Sequence, residues 1–374
     1  MSQDPDPYTH RQARLSAALQ RTGLEALALN PGPSLVYLTG LNFHLMERPV
    51  IAIFAPQAAP TLVMPELETA KAAALPFPAQ VFPYGEDPST WQEVFKRAMQ
   101  AGSLDGRQIG VEPTRLRFLE LRFLEGAAPA AHFVSAEQPL AELRMCKDEQ
   151  EIAHMRRAVQ IAQQALQAVL PQIKPGLTER QIAGELTLQL LKAGSEAEFP
   201  FAPIVSGGPN SANPHAAPSD RPLQTGDLLV IDWGAIYQGY ISDITRTFAI
   251  GPLEDELAAI HRIVEQANAA GRAAAGPGVT AEAVDQAARQ VIEAASYGPY
   301  FIHRTGHGIG MEGHEGPYIR TGSQLRLQPG MTFTIEPGIY LPGRGGVRIE
   351  DDMLITPQGA ASLSDLPRGL THLE

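Results

Sequence analysis

The sequence predicts an α+β fold in two parts: a small N-terminal α/β domain over residues 1–140 and a larger domain over 141–374. Three observations point there. Short apolar runs alternate with helical patterns before residue 140, a helix-helix-hairpin unit recurs after it, and acidic residues stand inside strand-like runs at corresponding places of the two copies. A chain of 374 residues is long for a single core. Hydrophobic residues at 44% and charged residues at 19% are ordinary for a globular protein. No apolar run approaches the length of a bilayer span, and the polar start MSQDPDPYTHRQ has no signal-peptide segment, so a cytoplasmic protein away from membranes is expected. The 41 acidic residues outnumber the 29 basic ones, giving a net charge of −12 with no Lys/Arg cluster, which argues against nucleic acid as a partner. The lone Cys146, in LRMCKDEQEI, rules out an intrachain disulfide and a thiolate zinc site, leaving Asp, Glu and His to hold any metal.

In chain order, the first domain reads as a helix near 10–20, a strand at 24–29, strands near 50–54 and 61–63, and helices near 91–99 and 115–124. The stretch LNFHLMERP over 41–49 sets His44, Glu47 and Arg48 in a loop among exposed apolar neighbours. The junction falls in 139–148. From Lys147 a long amphipathic helix carries Met155, Val159, Ala162, Leu166 and Val169 on one stripe, and Pro171 ends it. Thr178 and Gln181 then match a capping box that opens a helix through about 191.

The pattern repeats. Leu257, Ile260, Val264 and Ala267 mark a second long helix, Gly276-Pro277-Gly278-Val279-Thr280 repeats the turn Lys174-Pro175-Gly176-Leu177-Thr178, and a further helix runs to about 295. Thr178 to Thr280 is an offset of 102 residues, and Gly226 to Gly330, at the head of the strands, is 104. Such agreement indicates a duplicated unit.

Asp232 ends the apolar run LLVI, and Asp243 follows a Tyr237-Gln238-Gly239 turn, so a hairpin brings the two onto one face within a residue or two of each other. Burying two facing carboxylates costs several kcal/mol per ion unless a cation neutralises them. In the second copy Glu336 takes the place of Asp232, and Glu336 and Glu350 flank the Gly-rich turn 342–346. Four carboxylates on two related hairpins suit two cations. His307, in HRTGHGIG, offers a neutral ligand, and a glycine on each side of it would let the backbone approach a metal closely. Mixed Asp/Glu/His coordination suits manganese, cobalt, zinc or iron better than calcium.

These residues carry a resemblance. IDWG with Asp243, GHGIG, TIEPGIY and GVRIED resemble the motifs of the pita-bread metallopeptidases, which include methionine aminopeptidase, aminopeptidase P, prolidase and creatinase. The resemblance is strong over about 147–374, and the N-terminal α/β domain resembles that of the creatinase, prolidase and aminopeptidase P branch. It implies Asp232, Asp243, His307, Glu336 and Glu350 as ligands of two divalent cations, manganese first and cobalt or zinc next. It implies His215 and His314 beside the scissile bond, Arg348 near the substrate or behind the ligands, and His303 as a mark of the proline-specific branch. A homodimer is likewise implied by resemblance alone.

The implied reaction is hydrolysis of Xaa-Pro bonds in small peptides with proline second. Two cations activate water and polarise the carbonyl, Glu336 accepts the proton, and His215 and His314 donate to the oxyanion. A dipeptide ends in a carboxylate just beyond proline. Arg48, with Arg348 or His303, would supply its cation, which favours a dipeptidase (prolidase) over an aminopeptidase P acting on longer peptides. Methionine aminopeptidase shares the five ligands but not the N-terminal domain, His303 or the GVRIED form. A non-catalytic peptide-binding relative, or a metal-free creatinase-like hydrolase, would be expected to have lost ligands.

Overall fold

A computed structural model describes residues 6–374, so the first five residues of the predicted N-terminal domain lie outside the described residues. The chain divides into two units, one ending at Arg144 and one from Met145 to Glu374. The first unit opens with α1 (Pro7–Thr22), which starts where Asp6 accepts from the backbone N–H of Tyr8 and Thr9, at 3.1 and 3.2 Å. It stops at Gly23, whose φ of 72° is the left-handed conformation glycine tolerates. Its strands are β1 (Ala26–Leu29), β2 (Ile51–Phe54), β3 (Thr61–Pro65), β4 (Gln80–Tyr84), β5 (Gln108–Val111) and β6 (His132–Ser135), in one sheet of order β4-β3-β2-β1-β5-β6. Around them run α2 (Pro33–Thr39), α3 (Thr69–Ala73), α4 (Trp91–Ala101), α5 (Phe118–Ala127) and α6 (Glu137–Met145). β1, β2 and β3 are the strands the sequence predicts; the last three are not legible in it. β4 and β6 are short and mostly exposed or half-buried, so they lack an apolar periodicity to read. The helix expected at 115–124 starts later, because Arg115 and Leu116 turn back to donate to the Glu112 carbonyl at 2.9 and 2.8 Å.

In the second unit α7 (Glu149–Val169) begins on a capping box between Asp148 and Glu151 and buries the predicted stripe. Pro171 turns its end into a 3₁₀ turn over Leu170–Gln172. α8 (Glu179–Ala193) has the predicted box, Thr178 Oγ1 accepting from Gln181 N at 3.2 Å and Gln181 Oε1 from Thr178 N at 2.9 Å. Then follow β7 (Ile204–Gly207), β8 (Leu228–Trp233), β9 (Ile236–Tyr237), β10 (Tyr240–Ile241), β11 (Ile244–Ile250), α9 (Asp255–Ala274) and α10 (Ala281–Ala294). The chain closes with β12 (Gly306–Gly308), β13 (Glu315–Ile319), β14 (Thr332–Ile335), β15 (Gly338–Leu341), β16 (Gly345–Arg348), β17 (Asp351–Thr356), β18 (Gly359–Ser362) and β19 (Thr371–Leu373).

The duplication is visible bond by bond. Gly176 N donates to Leu223 O at 2.9 Å, and Gly278 N to Leu327 O at 2.8 Å. Thr178 pairs with Pro222 as Thr280 does with Arg326, and Arg180 N reaches Ser219 O as Glu282 N reaches Ser323 O, both at 3.0 Å. The two copies form sheets of order β19-β11-β8-β7 and β13-β12-β14-β17-β18. Helices α7 and α8 cover the first sheet, where Trp233 is fully buried and donates its indole N–H to Ala162 O at 2.8 Å. Residues of α9 and α10 pack on the other copy, around Phe333, Ile335 and Ile349.

One buried side chain ties a helix to the ends of these strands. Asn268 of α9 donates to Ile335 O at 3.0 Å, Ile349 O at 3.2 Å and Asp351 Oδ2 at 3.1 Å. Ile335 precedes Glu336 and Ile349 precedes Glu350, so Asn268 holds the backbone beside both acidic residues. Asn268→Leu would leave these acceptors buried and is expected to cost about 1–3 kcal/mol, read as a lower denaturant midpoint.

Candidate metal centre

The site is built where the hairpins of the two copies meet. In the first, Asp232 lies in β8 opposite Thr245 of β11, and the β9–β10 tip turns through Gln238 and Gly239 with φ of 51° and 74°, the twist a two-residue hairpin favours. Asp243 stands just before β11, two residues from Thr245 and therefore on the same face as Asp232. It shares that stretch with Ser242, whose carbonyl would lie 2.0 Å from any Cβ at position 234, so the glycine of IDWG is required by close packing. In the second hairpin, Ile335 pairs with Asp351 and Gly338 with Arg348, a register that sets Glu336 opposite Glu350.

His307 enters from β12, paired with Tyr318 of β13. Its flanking glycines have a different purpose from the one expected. A Cβ on Gly306 would sit 1.8 Å from Thr334 O, and one on Gly308 2.1 Å from Gly316 O, so they admit the neighbouring strands rather than an ion. His307 Nδ1 donates to its neighbour's carbonyl, Gly308 O, at 3.1 Å, which leaves the lone pair on Nε2. That nitrogen faces Glu336 Oε1 at 3.2 Å and Asp243 Oδ2 at 3.8 Å. A lone pair turned toward two carboxylates calls for a cation between them or a proton on the ring.

The carboxylates tell the same story. Asp243, His307 and Glu350 each place one ligating atom within 4.8 Å of the others. Asp232 Oδ1 and Asp243 Oδ1 are buried without a hydrogen-bond partner. Burial pushes Asp232, Asp243 and Glu350 above the ordinary carboxylate range, and the neighbouring carboxylates, Glu350 on Asp243 and Glu336 on Glu350, push further. Burial opposes ionisation of Glu336 too, but a proton on His307 Nε2 would donate to it and, with His303 and Arg348 nearby, hold it below that range. Unpartnered buried oxygens, an available imidazole nitrogen and mutually destabilised anions fit divalent cations of mixed O/N preference.

Around these carboxylates and His307 runs a hydrogen-bond chain with a fixed direction. Arg348, 3% exposed, donates to Asp232 Oδ2 at 2.6 Å, Thr245 Oγ1 at 3.1 Å and Tyr340 Oη at 3.0 Å. Thr245 donates in turn to Glu350 Oε2 at 2.6 Å. His303 Nδ1 donates to Arg304 O at 2.8 Å, so its Nε2 accepts from Tyr340 at 2.8 Å. Asp352 accepts from Asp243 N at 3.0 Å and steadies the backbone there. His314 packs against His307 with centroids 3.9 Å apart and ring planes tilted by 39°, and Arg304 Nη2 donates to its Nδ1 at 3.2 Å, which puts the ring proton on Nε2. Burial, with His307 and Arg304 nearby, lowers its pKa to about 4 and keeps it neutral.

Of the residues singled out from sequence, Asp232, Asp243, His307, Glu336, Glu350, His215, His303, His314 and Arg348 all line one cavity of about 520 Å³, whose remaining wall includes Pro200, Phe201, Ala202 and Ile204. Arg48 belongs to the first unit, where it pairs with Glu86 at 2.8 Å and lies 3.8 Å from Glu47. Tyr340, Thr245, Asp352 and Arg304 enter the site only through the structure; Tyr340 and Arg304 fall within the motif stretches TIEPGIY and HRTGHGIG, the signal the sequence offers for them.

The profile of metallopeptidase family M24 matches residues 153–357, and that of the creatinase/prolidase N-terminal domain matches 11–146. The chain is 38% identical to the probable dipeptidase PepE of Mycobacterium tuberculosis, covering 98% of this chain and 97% of that one. It is 34% identical to a Xaa-Pro dipeptidase of Pyrococcus horikoshii, over 98% and 99% of the two chains. The crystal structure of a prolidase from Thermococcus sibiricus superposes with a TM-score of 0.92 at 33% identity, covering 100% of both.

Proposed function

The chain belongs to metallopeptidase family M24, and from that premise we propose that it is a Xaa-Pro dipeptidase, a metallo-exopeptidase that splits dipeptides with proline in second position. The observation that carries the chemistry is the buried Asp243–His307–Glu350 group with its unpartnered neighbour oxygens. Asp232, Asp243, His307, Glu336 and Glu350 would hold two divalent ions, manganese first, with cobalt or zinc as substitutes. Bound there, the ions supply Lewis acidity for the scissile carbonyl and lower the pKa of water.

The chain's own groups do the rest. Glu336 takes the proton from the attacking water on its carboxylate and delivers it to the departing proline nitrogen. His314 Nε2–H and His215 donate to the developing oxyanion. Arg348, through Asp232, Thr245 and Tyr340, keeps a ligand and its neighbours in place. Proline's imide has no N–H to offer, so the site must hold the ring and terminal group instead. The same proposal includes a domain boundary near residue 140, a cytoplasmic location and a homodimer. No helix of the described residues is long and apolar enough to cross a membrane.

The alternative is an aminopeptidase P acting on longer peptides, and substrate length separates the two. For the metal-loaded protein, kcat/KM is expected to favour Xaa-Pro over Xaa-Pro-Yaa by about 10-fold or more, the worth of a charge-assisted contact to the terminal carboxylate. A preference for the tripeptides would replace the dipeptidase with the aminopeptidase.

A further inference from the structure

A dipeptide's carboxylate carbon is only two bonds from the scissile nitrogen, so whatever grips it must line the same cavity as the ligand set. Asp232, Asp243, Glu336 and Glu350 in its wall would be taken up by the two divalent ions, so the substrate's terminal anion needs a further cation there or is desolvated unpaired. Arg348 does not have a guanidinium to spare, since it is buried against Asp232, Thr245 and Tyr340. His303 has both ring nitrogens engaged, by Tyr340 and by Arg304 O.

Arg304 is differently placed. It lines the cavity half-buried and lies 4.6 Å over the Tyr318 ring, and it makes one side-chain hydrogen bond, from Nη2 to His314. Among the described residues no carboxylate comes within ion-pair distance of it. Its backbone is pinned on both sides. Arg289 donates to His303 O at 2.9 Å, while Asp285 accepts from Thr305 N at 3.2 Å and Thr305 Oγ1 at 2.7 Å. A guanidinium on a rigid turn, with most of its donors uncommitted and an aromatic ring beneath it, is pre-organised to bind a planar anion through two parallel bonds.

We propose that Arg304 binds the C-terminal carboxylate of the dipeptide and thereby sets the length of substrate accepted. This rests on the dipeptidase reading and names the residue that would make it selective. It also moves that contact from Arg48, already paired with Glu86, to a residue of the cavity itself.

The test uses the full-length, metal-loaded protein, with calorimetric binding of L-proline and L-prolinamide beside kcat/KM for a Xaa-Pro dipeptide and its C-terminal amide. Wild type is expected to bind proline at least about 10-fold more tightly than the amide. Arg304→Met should weaken proline by about 10- to 100-fold, leave prolinamide unchanged and remove the acid-over-amide ratio in turnover, with Arg304→Lys restoring part of it. The proposal is overturned if wild type shows no acid preference, if Arg304→Met weakens both ligands alike, or if Arg48→Ala erases the ratio while Arg304→Met keeps it. Failure of the dipeptidase reading appears elsewhere, as a wild-type preference for tripeptides.

Discussion

Asp243→Asn is expected to lower kcat/KM for Xaa-Pro dipeptides by about 10³-fold or more while leaving the metal-free protein at least as stable as wild type. The two halves of this expectation have one cause. Asp243 is buried beside Glu350, Asp232 and Glu336, and its Oδ1 has no hydrogen-bond partner. Without an ion its charge is a liability, because burial and the neighbouring anions both disfavour it. The amide removes that charge without changing size, so repulsion in the metal-free state falls. With ions bound the same charge is an asset, and losing a ligand forfeits several kcal/mol of transition-state stabilisation. Thermal midpoints with and without added manganese check the first half, since wild type should rise with metal while Asp243→Asn barely moves. Exhaustive chelation of wild type should match the variant in activity. A variant that kept full turnover, or that unfolded without metal well before wild type, would count against a cation site at Asp243.

Gly306→Ala should be the most damaging single-methyl addition in the second unit. Its Cβ would fall 1.8 Å from Thr334 O and 2.7 Å from the carbonyl carbon, both backbone atoms that cannot rotate away. β12 would have to retreat from β14 by more than an ångström. That movement would strain His307 N to Thr334 Oγ1 at 3.2 Å and Glu336 N to Thr305 O at 2.8 Å, the bonds that place His307 and Glu336. A cost of about 4 kcal/mol or more is expected, a fall of roughly 8 °C or more in the midpoint of unfolding, together with weakened metal retention. Gly184→Ala provides the contrast. Gly184 is exposed in α8 with nothing within 4 Å of an added Cβ, so alanine there should stabilise by about 0.5–1 kcal/mol through helix propensity. Equal effects at the two positions would mean that the strands around His307 are not closely packed.

Much of the second unit can be read along the chain because its information is local or periodic. The stripe of α7, the capping box of α8 and the offsets of 102 and 104 residues need only the spacing of residue types, and the structure repeats them as equivalent hydrogen bonds. The first unit was less legible. Strands such as His132–Ser135 are too short and too exposed to carry a pattern, and only pairing with Gln108–Val111 makes them strands.

That acidic residues end up opposed on two related hairpins is written along the chain, because alternation along a strand assigns each side chain to a face and duplication copies the assignment. What those side chains meet depends on packing. The direction of the Arg348–Tyr340–His303 chain, the anchoring of both hairpins by Asn268, the strand contacts behind the glycines beside His307 and the Arg304 guanidinium, bonded to His314 and lying over Tyr318, all join segments apart in sequence. Periodicity specifies orientation within an element, whereas the partner across a cavity is set by how elements pack, and no spacing along the chain encodes that distance.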